Sequence, residues 1–556
     1  MSDMFGRVAR LGSSRRLDRA GLATYAPLIL CVVVMIPRLV SAQFGFFDDP
    51  STLLTSERIL HGEWSPGEEA GGGRFRPVYW LYYAAIYALA GRNPWVFFLG
   101  NLLLLMLATG LLIAVARRRG ISRLGAAIAG TTFVLAGPTW ENIYTLSKPE
   151  LPQLVWLLSS VALLVRRPVR HRPFRIGMAA VCVLLAAATK ETAILMPALA
   201  FGWLLIEEVA RRRAGSRLRE SASPAGDLLL ASALGIAAYL ALRQAYLPFG
   251  LTERGYSSRF ALDLGRITRN ARVWADLLIR DDLYLVPALI PPAYAALRMR
   301  DSRRIAIYLK ILAWMGAWIA LYLPWPFTQE YYLLPFAAGA AFLGGMLLDD
   351  LRLLLASNRL SARAAGWASA SLAAGLFLLA LPGFITNARF QLAMDEANMA
   401  MLEYVVQEAP PGAEVYINIQ QRNEYVDRTT TWIREIYARR DLRVDYFRPD
   451  KAAWIETGEG SVIMIAPVFR NQFYPSVRVG VYEHTSRRWN QAMHELLGNR
   501  LREIHREERS LTAWIIDAPR LICPLLGEID YCRVPNAPLD HRRVVYGWVA
   551  YEVVTD

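Results

Sequence analysis

The residues best suited to chemistry sit in short polar stretches between apolar ones. In Phe46-Phe47-Asp48-Asp49-Pro50, two adjacent carboxylates follow two aromatic rings. Carboxylates there are costly to desolvate, and the pair is suited to binding a cation or accepting a proton. A structural reading competes: Asp49 before Pro50 suits a helix N-cap with proline at the first helical position. The two are compatible, with Asp48 functional and Asp49 capping. Arg74-Phe75-Arg76-Pro77 could grip phosphate oxygens bidentately or anchor to lipid headgroups. Ser147-Lys148-Pro149-Glu150 and Thr189-Lys190-Glu191-Thr192 each join two apolar stretches. Ionisable groups at such places are functional candidates, and a local salt bridge or headgroup contact is the plainer alternative. Thr328-Gln329-Glu330-Tyr331-Tyr332 has the aromatics of a membrane-interface belt, but Glu330 is unusual there and could pair with a cation from another loop.

The elements that must position these residues are membrane helices. Of 556 residues, 54% are hydrophobic, and the mean hydropathy is +0.24. Apolar runs of about 17–25 residues, the length of a membrane span, recur from Gly21 to Phe384 and then stop. The net charge of +14 would suit nucleic acid, but the arginines fall in short clusters between apolar runs, as in cytoplasmic loops. No nucleic-acid partner is expected. The basic residues Arg7 to Arg19, followed by Val40-Ser41-Ala42, have some features of a signal peptide, but the length of the apolar stretch favours an uncleaved first span.

The positive-inside rule orients the chain. Tyr25–Ala42 crosses outward, and residues 43–92 form the first outer loop with its juxtamembrane helices. Pro77–Ala90 is short for a span, which needs about 20 residues, and is expected to lie at the outer interface. Crossings then follow at Trp95–Ala116, Leu124–Thr139, Leu151–Val165, Ile176–Thr189, Ala193–Ile206, Leu228–Tyr246, Tyr284–Leu297, Ile305–Leu323, Tyr332–Leu348 and Ala364–Phe384. With this count of about eleven spans, every loop placed inside is arginine-rich, and all the candidate residues face outside. Arg266, Arg269 and Arg272 recur at helical spacing in a long outer loop, as on an amphipathic surface helix.

Residues 1–385 therefore form a membrane domain and residues 386–556 a soluble extracytoplasmic α/β domain. In the latter, a helix over Arg389–Gln407 leads to strands at Glu414–Ile419, Ser461–Ala466, Thr512–Asp517 and Val544–Val553, with helices near Tyr425–Tyr437 and Arg488–Ile504. Cys523 and Cys532 either pair as a local disulfide or stay free thiols, while Cys31 and Cys182 lie in apolar runs. There is no Walker motif, no GxGxxG after a strand, no CxxC and no HExxH.

Taken together, these features resemble the type C glycosyltransferases (GT-C fold), membrane enzymes that use polyprenyl-phosphate sugars. The likeness covers about residues 22–385. It rests on Asp48-Asp49 in the first outer loop, on Arg76-Pro77-Val78-Tyr79-Trp80 through Gly91-Arg92-Asn93-Pro94, on Lys148–Glu150, on Lys190-Glu191, and on Glu330-Tyr331-Tyr332-Leu333-Leu334-Pro335. Protein O-mannosyltransferase-like and aminoarabinose transferase-like enzymes are the nearest in pattern. The resemblance implies a polyprenyl-phosphate-linked sugar donor and a glycan, protein or lipid acceptor, with inversion at the anomeric carbon. It makes Asp48, or Asp49 in its place, the base. Arg76, Lys148 and Lys190 would bind the donor phosphate, and Glu150, Glu191, Glu330 and Tyr331 would orient substrate. Some members hold a divalent metal on the acidic pair. With no histidine beside Asp48 or Asp49, such an ion would be Mg, Mn or Ca. It implies an active site and soluble domain outside a bacterial inner membrane. A multi-span transporter and a non-catalytic membrane scaffold for envelope glycan assembly are the competing readings, although no inverted repeat is visible.

Overall fold

A computed structural model describes residues 24–69, 74–165, 171–213, 223–246, 260, 262–280, 302–357, 361–418, 424–447, 461–471, 488, 490–516 and 539–554. The expected span Tyr284–Leu297 and the Cys523 and Cys532 pair lie outside these residues. So does the basic N-terminal segment Arg7 to Arg19.

The helical part opens with α1 (Ala26–Val40), α2 (Asp49–Leu60) and α3 (Pro77–Ala90), followed by the long α4 (Pro94–Arg118). Helices α5 (Arg123–Leu135) and α6 (Gly137–Tyr144) come next, then α7 (Glu150–Val165), α8 (Arg172–Thr189), α9 (Met196–Arg213), α10 (Pro224–Tyr246), α11 (Leu264–Arg280), α12 (Ser302–Tyr322), α13 (Leu334–Ser357) and α14 (Ala362–Glu408). Among the described residues, six helices are long and apolar enough to cross a membrane: α4, α8, α9 with its leading turn, α10, α12, and α13 with its leading turn. Helices α1, α5 and α7 are apolar but shorter. The chain is an integral membrane protein by this pattern of helices. α3 is a 14-residue helix, as its length suggested.

Three elements depart from the sequence reading. The expected single span Leu124–Thr139 is broken, because Ala136 is extended (φ −64°, ψ 142°) between α5 and α6. Pro138, at the start of α6, has no N–H to continue the ladder, and Thr139 Oγ1 instead donates to the Phe133 carbonyl at 2.6 Å. The last span and the helix expected separately at Arg389–Gln407 are one 47-residue helix, α14, so position 385 falls inside it. Finally, residues 501–504 are not helical. Gly498 takes φ +50° and ends the helical turn before it, after which residues 501–516 pair as a strand.

The membrane helices approach closely where side chains are small. A Cβ on Gly125 of α5 would lie 2.6 Å from the Gly345 carbonyl of α13, and one on Gly235 of α10 would lie 2.5 Å from the Ala180 carbonyl of α8. Only glycine admits such contact. The arginine clusters and the candidate site occupy opposite ends of the same helices. On α8, Arg172 is at the start and Lys190 just past the end; on α9, Glu191 precedes the helix and Arg211, Arg212 and Arg213 close it.

The C-terminal part holds α15 (Glu424–Thr430) and a five-stranded sheet in the order β2-β1-β3-β5-β4. Its strands are β1 (Glu414–Ile417), β2 (Arg443–Tyr446), β3 (Val462–Asn471), β4 (Leu501–Ile516) and β5 (Leu539–Val553). β1 is parallel to β2 and β3, while β5 runs antiparallel to β3 and β4. The sheet packs on α14, where Tyr546 and Trp548 of β5 both donate to Asn398 Oδ1 at 2.7 Å.

Candidate functional site

The loop before α2 does not cap its helix in the expected way. α2 begins at Asp49, so Asp48 takes the N-cap position, and its side chain makes no capping hydrogen bond. Asp49, 3% exposed, turns inward instead. Its Oδ2 accepts the Gly45 N–H at 2.5 Å and its Oδ1 accepts Ser147 Oγ–H at 3.0 Å. Burial, with the Asp395 and Asp48 carboxylates nearby, pushes the Asp49 pKa up to about 7, against the lowering effect of those hydrogen bonds. Asp49 is thus built into the wall. The cause is simple: the Asp49 carboxylate finds the Gly45 N–H four residues upstream and has no need of the helix's own orphan donors.

Asp48 keeps a 44% exposed side chain and meets two cations. Lys148 Nζ donates to Oδ2 at 3.2 Å, and Arg428 Nη2 stands 3.7 Å from Oδ1. Crowding by neighbouring atoms disfavours its charge, but Lys148 first, then Arg428 and Arg76, more than offset this. Its pKa lies below the ordinary carboxylate value. Asp48 is therefore ionised at neutral pH and reachable from solvent.

Ser147 and Lys148 owe their placement to a strained turn. Ser147 has φ +63°, a left-handed conformation uncommon outside glycine. Three contacts hold it there: Tyr83 OH to its N–H at 2.9 Å, Thr52 Oγ1 at 2.6 Å, and Asp49 Oδ1. The next residue, Lys148, thereby lies between Asp48 and the Tyr331 ring, its Nζ 4.3 Å from the ring centroid.

The two lysine clusters are joined to each other. Lys190 pairs with Glu150 from the other cluster, not with its neighbour Glu191. Its ammonium lies 4.4 Å from the Tyr332 ring centroid and 5.3 Å from that of Tyr322. Burial alone would favour neutral Lys190, but Glu150 and the tyrosines reverse this and hold its pKa above the usual value. Gln153 supports the turn by donating to the Lys190 carbonyl at 2.7 Å. Glu191 serves a different segment: its Oε1 accepts the Phe75 N–H at 2.9 Å, fixing the strand of chain that carries Arg74 and Arg76. Arg76 pairs with Glu69 and lies over Tyr79, 4.9 Å from the ring centroid. Burial, and then repulsion from Arg76, lowers the pKa of Arg74, which is close enough to Tyr332 to sense it.

The Glu330–Leu333 turn completes the arrangement. Tyr331 N–H donates to Glu141 Oε2 at 2.9 Å, and its carbonyl accepts from Asn142 Nδ2 at 3.1 Å. Tyr331 and Tyr332 touch, with centroids 4.4 Å apart, so Lys148 and Lys190 lie on neighbouring rings. Glu330 opens the turn. Asp48, Lys148, Tyr331, Lys190, Glu150, Arg76 and Glu191 are thus brought together from five separate stretches of chain. On α11, by contrast, Arg269 and Arg272 are exposed while Asn270 and Trp274 are buried.

Sequence reasoning missed four contributors. Glu141 and Asn142 ride on the unexpected α6. Arg428 comes from the C-terminal part, with no motif around it. Arg38 was detectable in principle as a charge inside an apolar run; fully buried, it pairs with Asp395 of α14 at 2.7 Å and lies 4.0 Å over the Phe98 ring centroid.

A divalent cation needs several oxygen ligands converging on one point. Asp49 spends both oxygens on Gly45 and Ser147, and Asp48 faces two cationic side chains. Among the described residues no group of three His, Cys, Asp or Glu side chains could hold a metal ion. The acidic pair does not fit a resident metal.

No family model matches the chain, and no curated protein matches it. Among solved structures it is similar to ArnT from Cupriavidus metallidurans bound to undecaprenyl phosphate, with 14% identity and a TM-score of 0.47 over 79% of this chain and 92% of that one. The same protein in its apo state aligns with a TM-score of 0.45 and 14% identity, over 78% of this chain and 92% of that one. The arabinosyltransferase EmbB from Mycobacterium smegmatis aligns with 16% identity and a TM-score of 0.39, over 73% of this chain and 42% of that one.

Proposed function

We propose that this chain is an inverting glycosyltransferase that moves a sugar from a polyprenyl-phosphate donor to an acceptor hydroxyl on the extracytoplasmic side of the membrane. One observation carries the reading: an ionised, reachable carboxylate, Asp48, lies 3.2 Å from the Lys148 ammonium, with the Lys190 and Arg76 cations held close by at the same helix ends. The sequence resemblance to type C glycosyltransferases supplies the reaction class.

The acceptor oxygen forms a bond to the anomeric carbon while the bond from that carbon to the phosphate oxygen breaks. The acceptor proton passes to Asp48, and the bonding pair leaves with the lipid phosphate. A carboxylate of low pKa suffices as base because the transition state is oxocarbenium-like and the proton is lost late. The leaving phosphate gains charge, and Lys148, Lys190 and Arg76 are the cations that would stabilise it. Glu150 and Glu191 position them, as their contacts with Lys190 and the Phe75 N–H indicate. Glu330 and Tyr331 are read as substrate-orienting. The chemistry is read as independent of a resident metal.

The arginine clusters at the opposite helix ends support an orientation with those ends in the cytoplasm and the site outside, and the resemblance suggests a bacterial inner membrane. A full count of about eleven spans agrees with that parity. The test uses the full chain in lipid nanodiscs with undecaprenyl-phosphate-linked mannose, arabinofuranose and aminoarabinose, and envelope membranes of the source cells as acceptor. Sugar transfer that disappears in Asp48→Asn is expected. Absence of transfer from every donor, together with no binding of undecaprenyl phosphate, sinks the reading in favour of a transporter or scaffold.

A further inference from the structure

The C-terminal part reaches the candidate base directly. α15 and the wide helical turn Thr431–Ile436 that follows it dock on the first outer loop. Trp432, 1% exposed, donates from Nε1 to the Phe46 carbonyl at 3.0 Å. Arg92 bridges the two parts, donating to the Ile436 carbonyl at 2.8 Å and to Glu57 Oε2 at 3.0 Å. These contacts aim Arg428 at the loop, where its Nη1 donates to Ser51 Oγ and its Nη2 faces Asp48.

The two oxygens of Asp48 are not equivalent. Oδ2 accepts a hydrogen bond from Lys148 at 3.2 Å, whereas Oδ1 is 3.7 Å from Arg428 Nη2, beyond hydrogen-bond reach. A hydroxyl oxygen about 2.8 Å from each atom closes a triangle on that base, accepting from the guanidinium while donating to Oδ1. Lys148 lies on the Oδ2 side. The guanidinium suits this role better than an ammonium, because its planar fork can hold Ser51 with one nitrogen and present another to a ligand.

We propose that the acceptor hydroxyl binds on the Oδ1 side of Asp48, between the first outer loop and the C-terminal domain, with Arg428 as its binding residue. The membrane part thus receives the donor, and the C-terminal domain completes the acceptor site. This rests on the reading of Asp48 as base.

The experiment compares the full chain with Arg428→Gln, Arg428→Lys and Ser51→Ala, and with Arg440→Gln, an exposed control on the same domain. Two quantities are read: the KM for envelope-membrane acceptor in sugar transfer, and the Kd for undecaprenyl phosphate. Arg428→Gln is expected to raise the acceptor KM about tenfold or more, the value of one charge-assisted hydrogen bond, and to leave the Kd for the lipid phosphate unchanged. Lysine should restore part of the loss, and Ser51→Ala, a gentler change should the glutamine variant fold poorly, should move KM the same way by a smaller factor. Parental acceptor KM in Arg428→Gln and Ser51→Ala overturns the inference while leaving the proposed function standing. Weakened lipid-phosphate binding in Arg428→Gln also overturns it, by moving Arg428 to the donor side. If the unmutated chain transfers no sugar, the proposed function fails first and the inference with it.

Discussion

Lys190 and Glu150, 40 residues apart in sequence, form a buried ion pair that ties the turn before α9 to the start of α7. Glu150 is 1% exposed, so removing that lysine would strand a buried carboxylate. Lys190→Met should destabilise the protein by about 3–5 kcal/mol, the cost of stranding a buried charge. Pairing it with Glu150→Leu should recover most of the thermal stability without recovering sugar transfer. Thermal unfolding in detergent, alongside the transfer assay, checks this; a double variant with restored activity would show the pair to be only structural.

Asp48 and Asp49 should respond differently to the same substitution. Asp48→Asn removes the base and is expected to cost about 10²–10⁴-fold in transfer rate with unchanged unfolding temperature. Asp49→Asn keeps an acceptor for the Gly45 N–H and presents an amide donor to Ser147 Oγ, and should retain far more activity. Asp49→Leu, which leaves both donors unsatisfied, should lower the unfolding temperature. Equal loss of activity from both asparagine variants would remove Asp48's special role.

The raised pKa of Asp49 gives stability a pH dependence with a definite sign. An unfolded aspartate titrates near 3.9, and in the fold Asp49 titrates at about 7. The folded state therefore binds more protons between those values. Its contribution is fully present below about pH 4, is lost as pH rises through about 7, and is flat above that. The unfolding temperature should fall between pH 5 and pH 8, and Asp49→Asn should flatten that slope. An unchanged slope in the variant would assign the effect to other groups.

Donor binding should be lost stepwise with the cations. Lys148→Gln and Arg76→Gln are each expected to weaken undecaprenyl phosphate binding by about 10–100-fold, corresponding to one charge-assisted hydrogen bond apiece. Isothermal titration in nanodiscs reads this directly. Parental affinity in both would place the phosphate elsewhere.

Chelation supplies the last test. Neither carboxylate of the acidic pair is set up to ligate a cation, so EDTA treatment followed by desalting should leave the transfer rate unchanged. A rate abolished by EDTA and restored by Mg, Mn or Ca would return the metal to the mechanism.

Much of this arrangement was readable along the chain because its physics is local. A run of apolar residues must become a helix in a bilayer, since no water satisfies its backbone there. Hence α3, α4 and α8 and the polar turns carrying Asp48, Lys148, Lys190 and Glu330 appear close to their expected positions. The break at Ala136 was also local, written in Gly137-Pro138, but an apolar run conceals it. What no local rule contains is partnership. Lys190 neighbours Glu191 in sequence yet pairs with Glu150, Asp49 turns to Gly45 and Ser147 while Asp48 stays exposed, and Arg428 arrives from a different part of the chain. Those choices depend on which buried charges and donors meet across helix ends, and on the cost of leaving any of them unpaired. That is settled only when the whole chain has packed.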